Sequence, residues 1–380
     1  SGIKNIEWSE GITRIPYALF GECENLKSVK IPRTITEIRE RSFADCIALE
    51  NVDIPDSVTS IGASAFKGCQ SLQNIELPKG LTFIGNYAFR NCTALKKINV
   101  PKTLITVDTY GLNYQCPFDN CKSLEEIIFE KGRVGIPDCL FENAIGSDKG
   151  VNIVIPEGVE WIGSRCFKNF TNLKSITLPS TIKKLYNYCF ANTNIDNIII
   201  PDSVNGVYKG AFLGCTNIKE IVFPDSIEEL GSYLCSGCTE LTKVTLNNTT
   251  QNVASYMFEN CTSLERIVLP DTVININDHA FKGCISLKTI ELGNALKYID
   301  EYAFEDCDAL TNCIIPNTVT EIGMGVFYDC DTLTDVKLGT GINKIPDSAF
   351  EDCDKLASIV LPYRVEAIGN NAFKNDVSLT

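Results

Sequence analysis

Two apolar spacings alternate along this chain. Between Asn51 and Cys69, Val52 and Ile54 stand two apart and are followed by Pro55 and a polar pair. Val58, Ile61 and Gly62 come next, then Ala65, Phe66 and Cys69. A spacing of two places Val52 and Ile54 on one side of a short strand, and Leu49 covers the approach to it. Pro55 ends the strand, because it has no N–H to offer a ladder. Val58 and Ile61 predict a second short extended or turn segment, and Gly62 a sharp corner. Ala65, Phe66 and Cys69 predict a tight return to the core, 3-10 or one helical turn in form.

The pattern recurs. Phe20/Cys23, Phe43/Cys46, Phe66/Cys69 and Phe89/Cys92 are 23 residues apart, and the same beat returns from Phe258/Cys261 to Phe350/Cys353. Between them the Phe position falls at 118, 141, 167, 190 and 212, with Cys235 in its place once. A fixed period in this range marks a solenoid whose units stack to share a core. Each unit offers roughly eight apolar side chains, worth about 2 kcal/mol each when buried. Ordering its residues costs about 1.5 kcal/mol apiece, so a lone unit does not hold. The expectation is one elongated domain over residues 1–380, about 16 units long, cut inside the repeat array at both ends.

Leu72, Ile75, Leu77, Pro78, Leu81, Ile84, Gly85, Ala88, Phe89 and Cys92 together resemble the BspA-like class of leucine-rich repeat. The resemblance covers nearly the whole chain. It implies a right-handed, curved superhelix of short parallel strands with turns and short returns. It also implies a surface or secreted protein of host-associated bacteria, with adhesion or ligand binding as its role. Departures lie in the middle: Phe141 has no Cys three residues on, and Phe170 and Thr193 stand where the Cys would be.

An apolar fraction of 44% suits a continuous core. No run approaches 18 apolar residues, so no membrane span is expected. A net charge of −14 argues against a nucleic-acid partner, because phosphate neutralisation needs clustered Lys and Arg. Twelve of the 18 cysteines occupy the repeat position and form a column, read as buried thiols that act as small hydrophobes. A disulfide framework is the alternative, although such frameworks belong to short domains without a core. Cys116, Cys139, Cys166, Cys189, Cys235 and Cys313 stand off that register, and Cys166 and Cys189 are close enough in the stack to allow a bridge. Cys235 and Cys238 form a Cys-x-x-Cys, but a zinc site needs two further ligands and no second pair or nearby His supplies them. No metal, cofactor or catalytic residue is therefore expected. With one histidine, His279, triads and His-based metal sites fall away. Glu305, Asp306, Asp308, Asp329, Asp331, Glu351, Asp352 and Asp354 form an acidic ledge, read as a solvated edge or else a weak calcium site or an attraction for a basic partner.

The binding candidates lie on the sheet. The outward residue of each strand runs polar from Lys30 to Asn99. It then turns mostly β-branched at Ile128, Val154, Thr177, Ile199, Val222, Thr245 and Val268. An apolar stripe on an exposed sheet suits a partner, although such residues also simply favour strands. Insertions near Asp108–Pro117 and Asn143–Lys149 interrupt the beat, and the first brings Tyr110 and Tyr114. The sequence thus predicts an extracellular or cell-surface, non-enzymatic protein that binds a protein or glycan. A spacer or stalk that displays another domain is the alternative.

Overall fold

A strand of three residues buries one or two side chains, so every coil depends on the coil beside it. The computed structural model describes residues 3, 6–9, 11–107 and 116–380. They wind as a parallel β-solenoid of about 15 turns, roughly 23 residues to the turn. Two compact units divide the chain, residues 1–195 and 196–380.

Each unit carries two ladders. In the first unit the broader strands pair in parallel register: Ser28–Lys30 with Asn51–Asp53, and Asn74–Glu76 with Lys97–Val100 and Glu126–Phe129. Val151–Val154 pairs with Leu173–Thr177 through a bulge after Val151. The second unit repeats this with Glu220–Val222 on Lys243–Thr245, Arg266–Val268 on Thr289–Glu291 and Asn312–Ile314 on Asp335–Lys337. The segment around Ile61 is a true two-residue strand. Glu37–Ile38, Ser60–Ile61, Phe83–Ile84 and Thr106–Val107 pair one after another at the corner.

The return differs from the expected helical turn: no helix occurs among the described residues. It is a run of overlapping turns. The N–H groups of Ser42, Ala44 and Cys46 donate three residues back, to the carbonyls of Arg39, Arg41 and Phe43. Those of Arg41, Phe43 and Asp45 donate to Ala63, Ala65 and Lys67 on the next coil, at 3.0, 2.8 and 2.6 Å. Half the amides are thus spent between coils, which a helix forbids because its N–H groups bond within the segment. The chain manages this by adopting positive φ twice per return, as at Arg41 (56°) and Asp45 (58°). Asn, Asp and Gly tolerate that region best, and they fill the residue before the repeat Cys: Gly68, Asn91, Asn120, Asn260, Gly283 and Asp306 among others.

Inside, the Phe column runs unbroken through the first unit, and in the second it is interrupted at Cys235. Ring centroids lie 5.1 to 5.9 Å apart from Phe20 to Phe190, with planes inclined by no more than 19°. Phe89 meets Phe118 at 5.1 Å despite the longer interval between them, so the first insertion leaves the core stack intact. The second unit continues the motif from Phe258 to Phe373. At Cys235 the smaller side chain sits beside Leu234 and near Met257, both fully buried where most coils carry Ala.

All 18 cysteines are buried free thiols. The repeat Cys has a polar task as well as an apolar one. The thiols of Cys46, Cys69, Cys92 and Cys121 donate to the carbonyls of Phe20, Phe43, Phe66 and Phe89, at 3.0 to 3.3 Å. Cys238, Cys284, Cys307, Cys330 and Cys353 do the same in the second unit. Each of these carbonyls also accepts the N–H of the Cys in its own coil, as Phe43 does from Cys46 and Phe66 from Cys69, so the thiol adds a second donor from the neighbouring coil and ties the two returns together. Cys166 and Cys189 take the small-residue slot before Phe, and Cys313 an inward strand position. Burial pushes the thiols of Cys46 and Cys284 up to about 12 and holds Cys69, Cys92 and Cys330 well above the ordinary range. Since the thiolate is the reactive form, Ellman's reagent is expected to leave the native protein almost unlabelled and to titrate all 18 thiols after unfolding in guanidinium. Fast labelling of Cys69 or Cys284 in the native state would contradict the ladder.

Candidate interaction surface

The outward strand residues follow from the pleat: their neighbours on either side point into the core. In the first unit Lys30, Asp53, Glu76 and Asn99 are exposed, then Ile128, Val154 and Thr177. Val154 is 68% exposed and lies beside Thr177 in register. In the second unit Ile199, Val222, Thr245 and Val268 are all exposed, with Ile199 at 76%. Val222 pairs with Thr245, and Glu291 ends the run beside Val268. Each predicted strand position therefore faces solvent. Ile314 and Val360, further along the same column, are exposed too and break its apolar character less than Glu291 and Lys337 do.

The stripe is narrow. Two residues earlier on each strand runs a second outward column, and this one is polar and at several coils paired with its neighbour. Lys97 meets Glu126 at 3.0 Å, Lys243 meets Glu220, and the Ser175 hydroxyl donates to Asn152 at 2.6 Å. Arg266 reaches across to Glu291. Within each unit the surface is thus a row of exposed side chains one residue wide, with polar pairs between adjacent coils along part of its border.

Shallow grooves mark where the ribbon meets the strand ends. One of about 250 Å³ in the first unit is lined by Ile54, Leu77, Val100 and Ile128, with Asp56 and Glu130 at its rim. Those two carboxylates already accept the backbone N–H groups of Lys79 and Lys102, at 3.1 and 3.0 Å. A second groove, about 490 Å³, lies in the second unit between Arg266, Glu291, Asn312 and Ile314.

Tyr110 and Tyr114 fall in residues 108–115, outside the described residues. The Asn143–Lys149 insertion is described and well anchored. Gly146 N–H donates to the Cys121 carbonyl and Ser147 N–H to that of Leu124, at 3.2 and 2.8 Å.

The remaining sequence candidates resolve into structure. Asp306, Asp329 and Asp352 occupy the positive-φ slot before the repeat Cys, at 57°, 56° and 65°. The same slot holds an asparagine ladder in the first unit, where Asn120 donates to Asn91 and Asn192 to Asn169, at 2.7 and 2.8 Å. The backbone therefore accounts for Asp306, Asp329 and Asp352, and not for Asp308, Asp331 and Asp354 after the Cys. Partial burial, then the like charges alongside, raises the pKa values of Asp306 and Asp329 above the usual carboxylate range. Cys235 and Cys238 are both buried, and among the described residues they belong to no grouping of three or more metal-ligating side chains. His279 belongs to an aromatic column that sequence reasoning missed. Tyr233, Tyr256, His279 and Tyr302 stack at 4.5, 4.6 and 5.2 Å. Lys209 caps one end over the Tyr233 ring at 5.2 Å. With both faces of the inner rings taken, the column offers edges only. The signal was present, since these four residues stand 23 apart.

The pattern described as BspA type leucine rich repeat region matches residues 1–117, 146–265 and 251–380, in six copies. Among solved structures, a leucine-rich repeat protein from Bacteroides ovatus is 29% identical, with a TM-score of 0.72 over 97% of this chain and 86% of that one. A leucine-rich repeat protein from Eubacterium ventriosum is 24% identical, with a TM-score of 0.52 over 86% of this chain and 82% of that one. No curated protein gives a significant sequence match.

Proposed function

Because this chain belongs to the BspA-type leucine-rich repeat family, we propose that it is an extracellular or cell-surface interaction protein that captures a protein or glycan along its exposed strand ladder. One observation carries the reading: Val154 and Ile199 hold 68% and 76% of their surface in water, and beside Val154 the polar groups of Asn152 and Ser175 are bonded to each other. Apolar groups kept in water between satisfied polar groups are available to a partner. The ion pairs elsewhere along the border contribute little attraction of their own, since exposed pairs are worth about 1 kcal/mol or less.

A spacer or stalk is the second reading, favoured by the ribbon's width of one side chain. The two part company on an array of immobilised matrix proteins, mucins and glycans. As a binder, the chain captures a defined ligand there, and Val154→Lys, Ile199→Lys or Val222→Lys weakens capture at least about 10-fold, the effect of losing roughly 1.4 kcal/mol. Circular dichroism and melting should not change. Capture that ignores all three substitutions, or no capture at all, favours the spacer.

A further inference from the structure

We infer that the first unit holds a zinc site made by the thiolates of Cys116 and Cys139 and the carboxylate of Glu142. Cys116 and Cys139 each stand two residues before a stacked Phe, Phe118 and Phe141, so they belong to one column on neighbouring coils. Elsewhere that column is occupied by side chains that reach the surface, among them Ser64, Tyr87 and Arg165. Here both thiols are buried. Glu142 is 1% exposed, and its Oε2 lies 3.2 Å from the Cys116 sulfur. The three donor atoms all fall within 4.8 Å of one another, the one such grouping of His, Cys, Asp or Glu among the described residues.

The ladder thiols donate to backbone carbonyls, whereas Cys116 faces a carboxylate. A buried carboxylate beside two thiols is not what plain packing selects, because an ion out of water needs partners. Glu142 has one in Arg165, whose Nε donates to Oε2 at 2.8 Å while Nη2 reaches Oε1. This fork fixes the carboxylate, as an outer-shell group does at a metal centre. Zinc bonds of about 2.3 Å to sulfur and 2.0 Å to oxygen place tetrahedral donors roughly 3.5 to 3.8 Å apart. The grouping fits that with small side-chain movements. Soft sulfur with one carboxylate suits zinc over magnesium or calcium. Charge also closes. Zinc displaces one proton from each thiol into solvent; the two thiolates and the carboxylate are then balanced by the dication and Arg165, with Lys168 at the outer edge, 4.0 Å from Glu142 Oε1. The fourth position is left to water.

The full chain, stripped with a chelator and titrated with zinc, should retain one ion per molecule after desalting. Cobalt(II) in its place should give a thiolate-to-metal charge-transfer band. Release of two protons makes affinity fall about 100-fold per unit of pH below neutrality. Cys139→Ser should abolish the band and weaken zinc at least about 100-fold, and Arg165→Lys should weaken it about 10- to 100-fold. Serine is compatible with the backbone there, since Ser64 and Ser348 hold the same repeat position at φ 54°, against 55° at Cys139. Zinc binding unchanged in Cys139→Ser, or no retained metal with no cobalt band, would overturn the site. So would a Cys116–Cys139 disulfide found by mass spectrometry in the freshly isolated chain.

Discussion

Phe281→Ala is expected to cost about 3 to 5 kcal/mol of folding free energy. The ring is fully buried and stacked on Phe258 and Phe304, at 5.5 and 5.6 Å. Its removal takes out its own burial and the facing surface of both neighbours. Collapse around the gap is restricted, because the coils on either side are pinned by return hydrogen bonds: Phe281 N–H donates to Ala303 and Phe258 N–H to Ala280, both at 2.9 Å. A repeat array is stabilised by nearest-neighbour interfaces, so the loss should split a single urea transition followed by circular dichroism into two. Ile199→Ala, an exposed position, should shift the midpoint by no more than about 0.5 kcal/mol. A cost at Phe281 below about 1 kcal/mol would mean that the stack is not what joins the coils.

That stack was legible because it is periodic. Phe66, Phe89 and Phe281 mark the same place in every coil, and the structure puts each ring face to face with the next. The strand at Val52 and the corner at Ile61 followed from spacing for the same reason, as did the Cys column. What escaped was information carried by conformation. Apolar spacing marks where side chains point and is silent on the sign of φ, so the return looked like a helical turn. Its positive-φ slots then made Asp306 and Asp329 look like a charge feature, when Asn91 and Gly68 in the same slot show a backbone demand. The outward strand column was legible by alternation, yet its width was not. The polar column beside it is defined by pairs such as Lys97 with Glu126, which stand 29 apart in sequence across an insertion. Cys116 and Cys139 were set aside as out of register with the repeat Cys, although they stand 23 apart and so share a column. Glu142 could not be joined to them by counting, since it meets Cys116 diagonally.

Arg165→Leu tests that same corner through stability. Glu142 is the charged side chain most deeply buried there, and the Arg165 fork is its principal partner. Burial works against the guanidinium, but the bond and charge of Glu142 outweigh it and raise its pKa above the ordinary value. Removing one member of such a pair leaves the other buried and uncompensated, a loss of about 3 to 5 kcal/mol. Lys168, with Nζ 4.0 Å from Oε1, remains nearby and places the expected cost near the lower end, about 3 kcal/mol. Glu142→Gln in the Arg165→Leu background removes the stranded charge and should restore more than half of the loss. The double-mutant cycle, run in chelator so that no metal contributes, then gives a coupling of at least about 1.5 kcal/mol. Strictly additive costs would mean that Arg165 stabilises this coil by packing its stem, and that the carboxylate finds its compensation in the two thiols.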